Sequence, residues 1–181
     1  MYVLAKSLAD GAKSGVILTA GLCTGLIFHT SLVIFGVAAL LQSSPAAFAA
    51  LKYAGAAYLL YLAWGAFHET GSVQLSPAGQ AAAHLKLYCR GIIMNVLNPK
   101  VLLFFLAFFP QFVNLRSEQV SLQIACLGVL FGLQAFIIFS LTALCAGKVR
   151  DHILKIKDLG KIMGRVQGIV LLLISLSLLM L

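Results

Sequence analysis

The chain alternates between long apolar stretches and short polar ones. Residues 16–41 and 121–146 carry no charge. Residues 46–67 carry only Lys52, residues 91–110 only Lys100, and residues 162–181 only Arg165, near their start. A helix needs about 20 apolar residues to cross the hydrocarbon core of a bilayer, and each stretch reaches that length. Transmembrane strands would alternate polar and apolar side chains, which the run Leu171, Leu172, Leu173, Ile174 does not. The pattern predicts an all-α integral membrane protein with five transmembrane helices.

The polar stretches are short. Residues 1–15 read as an amphipathic stub with Lys6, Asp10 and Lys13, without the long apolar region of a signal peptide. Ser43, Ser44 and Pro45 mark a tight turn. Residues 68–90 form the longest loop, 111–120 a short one, and 147–161 a basic one. The expected organisation is a stub at 1–15, two helices at 16–67, a loop at 68–90 and three helices at 91–181.

Charge then sets the orientation. Lys6, Lys13, Lys86, Arg90, Lys148, Arg150, Lys155, Lys157 and Lys161 fall on one side of the expected topology, and Arg116 stands on the other. Cytoplasmic loops hold the excess of Lys and Arg, so residues 1–15 are expected in the cytoplasm and the C-terminus outside. The basic 147–161 loop serves first as a topology determinant, with contact to anionic lipid heads as the alternative. Of the 181 residues, 61% are hydrophobic and 10% charged, against about 25% charged in soluble domains. That excludes a soluble domain, and the net charge of +8 is then no sign of nucleic-acid binding. Cys23, Cys89, Cys126 and Cys145 have neither close pairing nor metal-ligand spacing.

The helices show signs of a repeat. Gly21 and Gly25 in the first are matched by Gly128 and Gly132 in the fourth; Lys52 and Gly55 in the second are matched by Arg165 and Gly168 in the fifth. Glycines four apart let helix backbones approach. If the first and second helices correspond to the fourth and fifth, the third lacks a partner. The expected plan is three plus three inverted helices, with only the stub standing where the first helix is missing. Gly160, Gly164 and Gly168 pack either within the chain or against a second copy, leaving a homo-oligomer open.

Polar groups inside an apolar helix are costly and mark candidate sites. The densest set is Asn95, Asn98, Pro99 and Lys100. Pro99 lacks an N–H and clashes with the carbonyl of Asn95, and Asn98, preceding it, is pushed off helical angles. Two amides and an ammonium thus gather at a helix break, as a zwitterionic substrate needs; the alternative is a proline kink whose polar groups satisfy one another. His29 either carries a proton near neutral pH or bonds a neighbouring helix. Lys52 snorkels, pairs with a helix end or takes part in transport. Tyr58 is expected to bond across helices, as is Gln134, and Trp64 to sit in an interfacial belt. Asp10, Glu69, Glu118, Asp151 and Asp158 all lie outside the expected spans. No Ser/His/Asp set, metal set or phosphate loop stands out, so neither an enzyme nor a cofactor is expected.

The chain resembles the LysE/RhtB family of bacterial amino-acid exporters over nearly its whole length. The resemblance rests on Asn95, Asn98, Pro99 and Lys100 together with the stretch from Phe104 to Phe112. Supporting stretches are Ala5, Lys6, Ser7, Leu8, Gly11 and Gly15; Gly21, Gly25 and His29; and Leu51, Lys52, Gly55, Ala56, Tyr58, Leu59 and Leu62. It implies a secondary transporter of the inner membrane, exporting amino acids or close derivatives, with protons as the coupling partner and the bilayer as its surroundings. The family's Pro-Gly-Pro motif and its first helix are absent here, and residues 1–15 look like the cytoplasmic end of that helix in relatives; an upstream start is expected, with a truncated gene as the alternative. The helices carry positive charge without negative charge, which disfavours lysine or arginine and favours a neutral substrate such as threonine, homoserine or leucine. The alternatives are a non-transporting scaffold or assembly subunit, or an inactive fragment.

Overall fold

A computed structural model describes residues 2–43, 45–68, 84–114, 117–148 and 158–180. Arg116, residues 69–83 of the expected 68–90 loop and residues 149–157 of the basic loop lie outside the described residues. Every regular element among the described residues is helical: α1 (Tyr2–Asp10), α2 (Ala12–Ser43), α3 (Pro45–Phe67), α4 (His84–Val96), α5 (Pro99–Phe108) with a 3-10 turn at Phe109–Phe112, α6 (Val120–Lys148) and α7 (Leu159–Met180).

Three of the described spans, Ala12–Gly36, Val120–Ala146 and Gly160–Met180, are long and apolar enough to cross a membrane. The interrupted pair α4 and α5 makes a fourth if taken as one span. The expected second span is also a helix, α3, of 23 residues, rising about 35 Å. It stands outside that group; Lys52 and the tyrosines at 53, 58 and 61 dilute its apolar character.

Backbone contacts gather the chain into two units. One comprises Met1–Leu26, Thr70–Leu97 and Phe131–Met163; the other comprises Ile27–Glu69, Asn98–Leu130 and Gly164–Leu181.

In the first unit the expected stub is a packed helix. Val3, Leu4, Ser7 and Leu8 are buried on one face of α1. Val3 meets Leu18, Leu87 and Ala143, while Leu4 and Leu8 meet Ala146. A side chain on Gly15 would collide with the Ser7 hydroxyl, so α1 lies tightly on the first turns of α2. Gly11 ends α1 with φ +86°, a left-handed conformation that glycine adopts without steric cost, and its N–H donates to the Ser7 carbonyl at 3.0 Å. Lys6 and Asp10 form an ion pair one turn apart, largely shielded from solvent.

The expected 68–90 loop likewise gives way to helix from His84 onward. Leu87, Gly91 and Asn95 are buried at four-residue spacing, an amphipathic stripe. Lys86 and Arg90 sit on the exposed side, where they break the apolar run that marks a span.

In the second unit, Ala56, Leu59 and Ala63 of α3 pack with Ala107 of α5 and with Leu171 and Leu178 of α7. A side chain on Gly55 would overlap the Ala107 methyl, so α3 and α5 touch closely. The Ser175 hydroxyl donates to the Ala56 carbonyl at 2.9 Å and ties α7 to α3. Gly168 faces the Phe67 ring, and a Cβ there would lie 2.9 Å from it.

Apolar side chains also face outward. Along α6, Val129, Leu130, Leu133, Ile137 and Leu141 are all exposed, and only 11% of this span is buried, against 44% for α2. Soluble monomers rarely expose so continuous an apolar surface; a lipid environment accounts for it.

Candidate functional site

The helix breaks where Pro99 stands. Leu97 closes α4 with an N–H bond to the Ile93 carbonyl at 3.0 Å. Asn98 then leaves helical angles, at φ −87° and ψ 101°, as a residue before proline is driven to do. Pro99 occupies the first turn of α5, where a missing N–H costs no helical bond. The Asn98 side chain accepts the Lys100 N–H at 3.0 Å and caps α5. A cap of this kind contributes about 1 kcal/mol. In the second unit this leaves Asn98 and Lys100 half-buried and Pro99 exposed at the N-terminus of α5. That terminus carries the positive end of the helix dipole.

Asn95 belongs to the first unit. It is 6% exposed, and its amide nitrogen donates to the Leu22 carbonyl of α2 at 2.5 Å. Gly21 and Gly25 serve the same crossing. A Cβ on Gly21 would run into the Tyr88 carbonyl, and one on Gly25 would lie 2.7 Å from the Asn95 Cβ. The sequence offered no sign of a further bond there, between the Thr24 and Tyr88 hydroxyls at 2.9 Å. Tyr88 falls in the stretch read as loop, which hid its place on a helix face.

The other two glycines differ from each other. A side chain on Gly128 would overlap Thr30, whereas one on Gly132 would find only Leu26, at an ordinary 4.0 Å.

His29 is fully buried in the second unit. Its ring meets the edge of Phe105 on α5, with centroids 6.1 Å apart, and that of Phe28 at 5.8 Å. Phe105 stacks on Phe109 at 4.1 Å, so the histidine rests on an aromatic pair where α5 runs into the 3-10 turn. Lys52 lies half-buried on α3, its ammonium 5.8 Å from the Tyr53 ring. Tyr58 is half-buried, its ring 6.4 Å from that of Tyr61 on the same helix. Trp64 is 69% exposed and packs on His68 at 4.5 Å. Gln134, expected to bond between helices, is exposed; it lies on the bare side of α6.

The family model described as LysE type translocator matches residues 1–181. A homoserine/homoserine lactone efflux protein of Salmonella typhimurium is 37% identical over 126 residues, covering 70% of this chain and 61% of that protein. A leucine efflux protein of Salmonella choleraesuis is 28% identical over 174 residues, covering 93% of this chain and 80% of that protein. A Bacillus subtilis membrane protein, YrhP, is 34% identical over 148 residues, covering 77% of this chain and 70% of its own length. The chain thus spans less than two thirds of the first of these relatives. No solved structure matches it.

Proposed function

The chain belongs to the LysE type translocator family, and on that footing we propose that it is a secondary transporter exporting neutral amino acids or close derivatives across the bacterial inner membrane in exchange for protons. The carrying observation is the interrupted helix, a break at Asn98 capped by its own side chain and followed at once by the ammonium of Lys100. Broken helices whose half-helix N-termini point at anionic groups are how transporters hold a substrate carboxylate. Lys100 and the N-terminus of α5 together offer that carboxylate a positive site. Asn98 and Pro99 keep the site open by preventing the helix from closing over it. Two relatives are named for homoserine and leucine efflux, which supports a neutral substrate.

His29 is the proton carrier in this reading. It is buried, an imidazole can take up and give back a proton, and it bears on α5 through Phe105. Residues 1–15 face the cytoplasm and the C-terminus faces outward, following the distribution of Lys and Arg.

Efflux of labelled leucine, homoserine, threonine and lysine from cells expressing the full chain tests the proposal. The expected result is export of the neutral amino acids, collapse of that export with an uncoupler, and loss of its pH dependence in His29→Gln. Lys100→Gln raises the substrate concentration needed for half-maximal export. Selective lysine export overturns the substrate class, and export no faster than in cells without the chain overturns transport in favour of a scaffold.

A further inference from the structure

We propose that Thr24, Tyr88 and Asn95 are positioning residues for transport, forming two polar ties that hold α4 on α2 and so fix the end of α4 from which the chain enters the break. The inference rests on the reading of the Asn98–Lys100 break as the substrate site.

Helices in lipid gain little from hydrophobic contact with each other, so close approach and hydrogen bonds decide how they pack. Here α2 and α4 meet backbone to backbone. A Cβ on Gly91 would lie 2.5 Å from the Leu18 carbonyl oxygen and 2.9 Å from the Leu22 nitrogen. Tyr88, Gly91 and Asn95 fall three and four residues apart, on one face of α4. The glycine is therefore the point of contact, with a polar tie on either side. In one tie, Thr24 donates to the Ala20 carbonyl at 2.9 Å and so accepts from the Tyr88 hydroxyl, also at 2.9 Å. In the other, the Asn95 amide donates to the Leu22 carbonyl.

Asn95 is the last residue but one of α4, and three residues later Asn98 caps α5. The terminal turn of a helix is where it frays. Pro99 sets where the break falls, and Asn95 pins the turn that leads into it against α2. Its amide nitrogen is engaged by protein, and it acts on transport through Asn98 and Lys100.

Two measurements on the full chain test this. In the first, export of labelled leucine is followed against concentration and normalised to the amount of chain in the membrane. Thr24→Val, Tyr88→Phe and Asn95→Ala are each expected to lower the maximal rate about three- to tenfold, the range a lost interhelical hydrogen bond supports. Half-saturation is expected to stay unchanged, unlike in Lys100→Gln. Thr24→Ser restores the rate, and Thr24→Val with Tyr88→Phe loses no more than either alone. A rise in half-saturation at full maximal rate in Asn95→Ala would make that residue a substrate contact and overturn the proposal, as would wild-type export in Thr24→Val. In the second, thermal melting of the detergent-purified chain reads the Thr24–Tyr88 tie without reference to transport. The two single variants are expected to lower the midpoint equally and the double no further; additive losses overturn the tie. Non-additive melting in a chain that exports no amino acid removes the transport reading and the positioning role with it, while the tie itself stands.

Discussion

Asn95 and Lys100 stand five residues apart in a motif that reads as one cluster, yet they meet different surroundings. Asn95 is buried against an α2 carbonyl, whereas Lys100 is half-buried in the first turn of α5. Spacing along the chain shows that polar groups concentrate at a helix break; it does not show which group the protein itself consumes. The glycines teach the same lesson. Gly128 and Gly132 are the same type at the same interval as Gly21 and Gly25, but only three of the four face atoms that a methyl would strike. Gly21→Ala is therefore expected to reduce sharply the yield of monodisperse protein in detergent, because the obstruction is the Tyr88 backbone, which cannot yield as a side chain can. Gly132→Ala is expected to leave that yield unchanged or improve it, since alanine favours a helix by up to about 1 kcal/mol over glycine. Size-exclusion chromatography of the extracted variants checks both.

At the scale of elements, the break was the most legible feature. Proline's missing N–H and its steric effect on the preceding residue are local properties, so Pro99 and Asn98 announce the interruption whatever surrounds them. The starts of the flanking helices were less legible. His84–Arg90 carries two cations and escapes any search for apolar runs, although Leu87 is buried. Helix α1 is nine residues long, too short to hold together alone; it exists because Val3, Leu4 and Leu8 find α2, α4 and α6 around them. Pro99→Ala tests what the interruption is for. A continuous helix through residues 84–108 becomes possible, and the expected outcome is normal membrane insertion with export lost. Membrane fractionation alongside the leucine efflux assay separates the two. Full export in Pro99→Ala would show that the break serves packing only.

For the whole molecule, composition and the lengths of the apolar stretches were enough to place the chain in a membrane as a helical protein. The two packed units were not legible, because their boundaries run inside α2 and α6 and through the first turns of α7 as well as the break. Orientation is a whole-chain property too, set by cations scattered over several connections. Labelling with a membrane-impermeant thiol reagent reads it. After removal of the native Cys23, Cys89, Cys126 and Cys145, Ser117→Cys is expected to label in intact cells and Lys13→Cys only after permeabilisation. The reverse pattern would invert the topology. Finally, the bare surface of α6 bears on how this protein ages over generations. A side chain that touches only lipid needs to be apolar and nothing more, so Leu gives way to Ile, Val or Phe with little selection against the change. Helix α2, held by backbone contacts at Gly21 and ties at Leu22 and Thr24, has less such latitude. Lineages descended from one ancestor should then part company fastest along α6 and slowest along α2, so that α6 keeps the shortest memory of ancestry and α2 the longest.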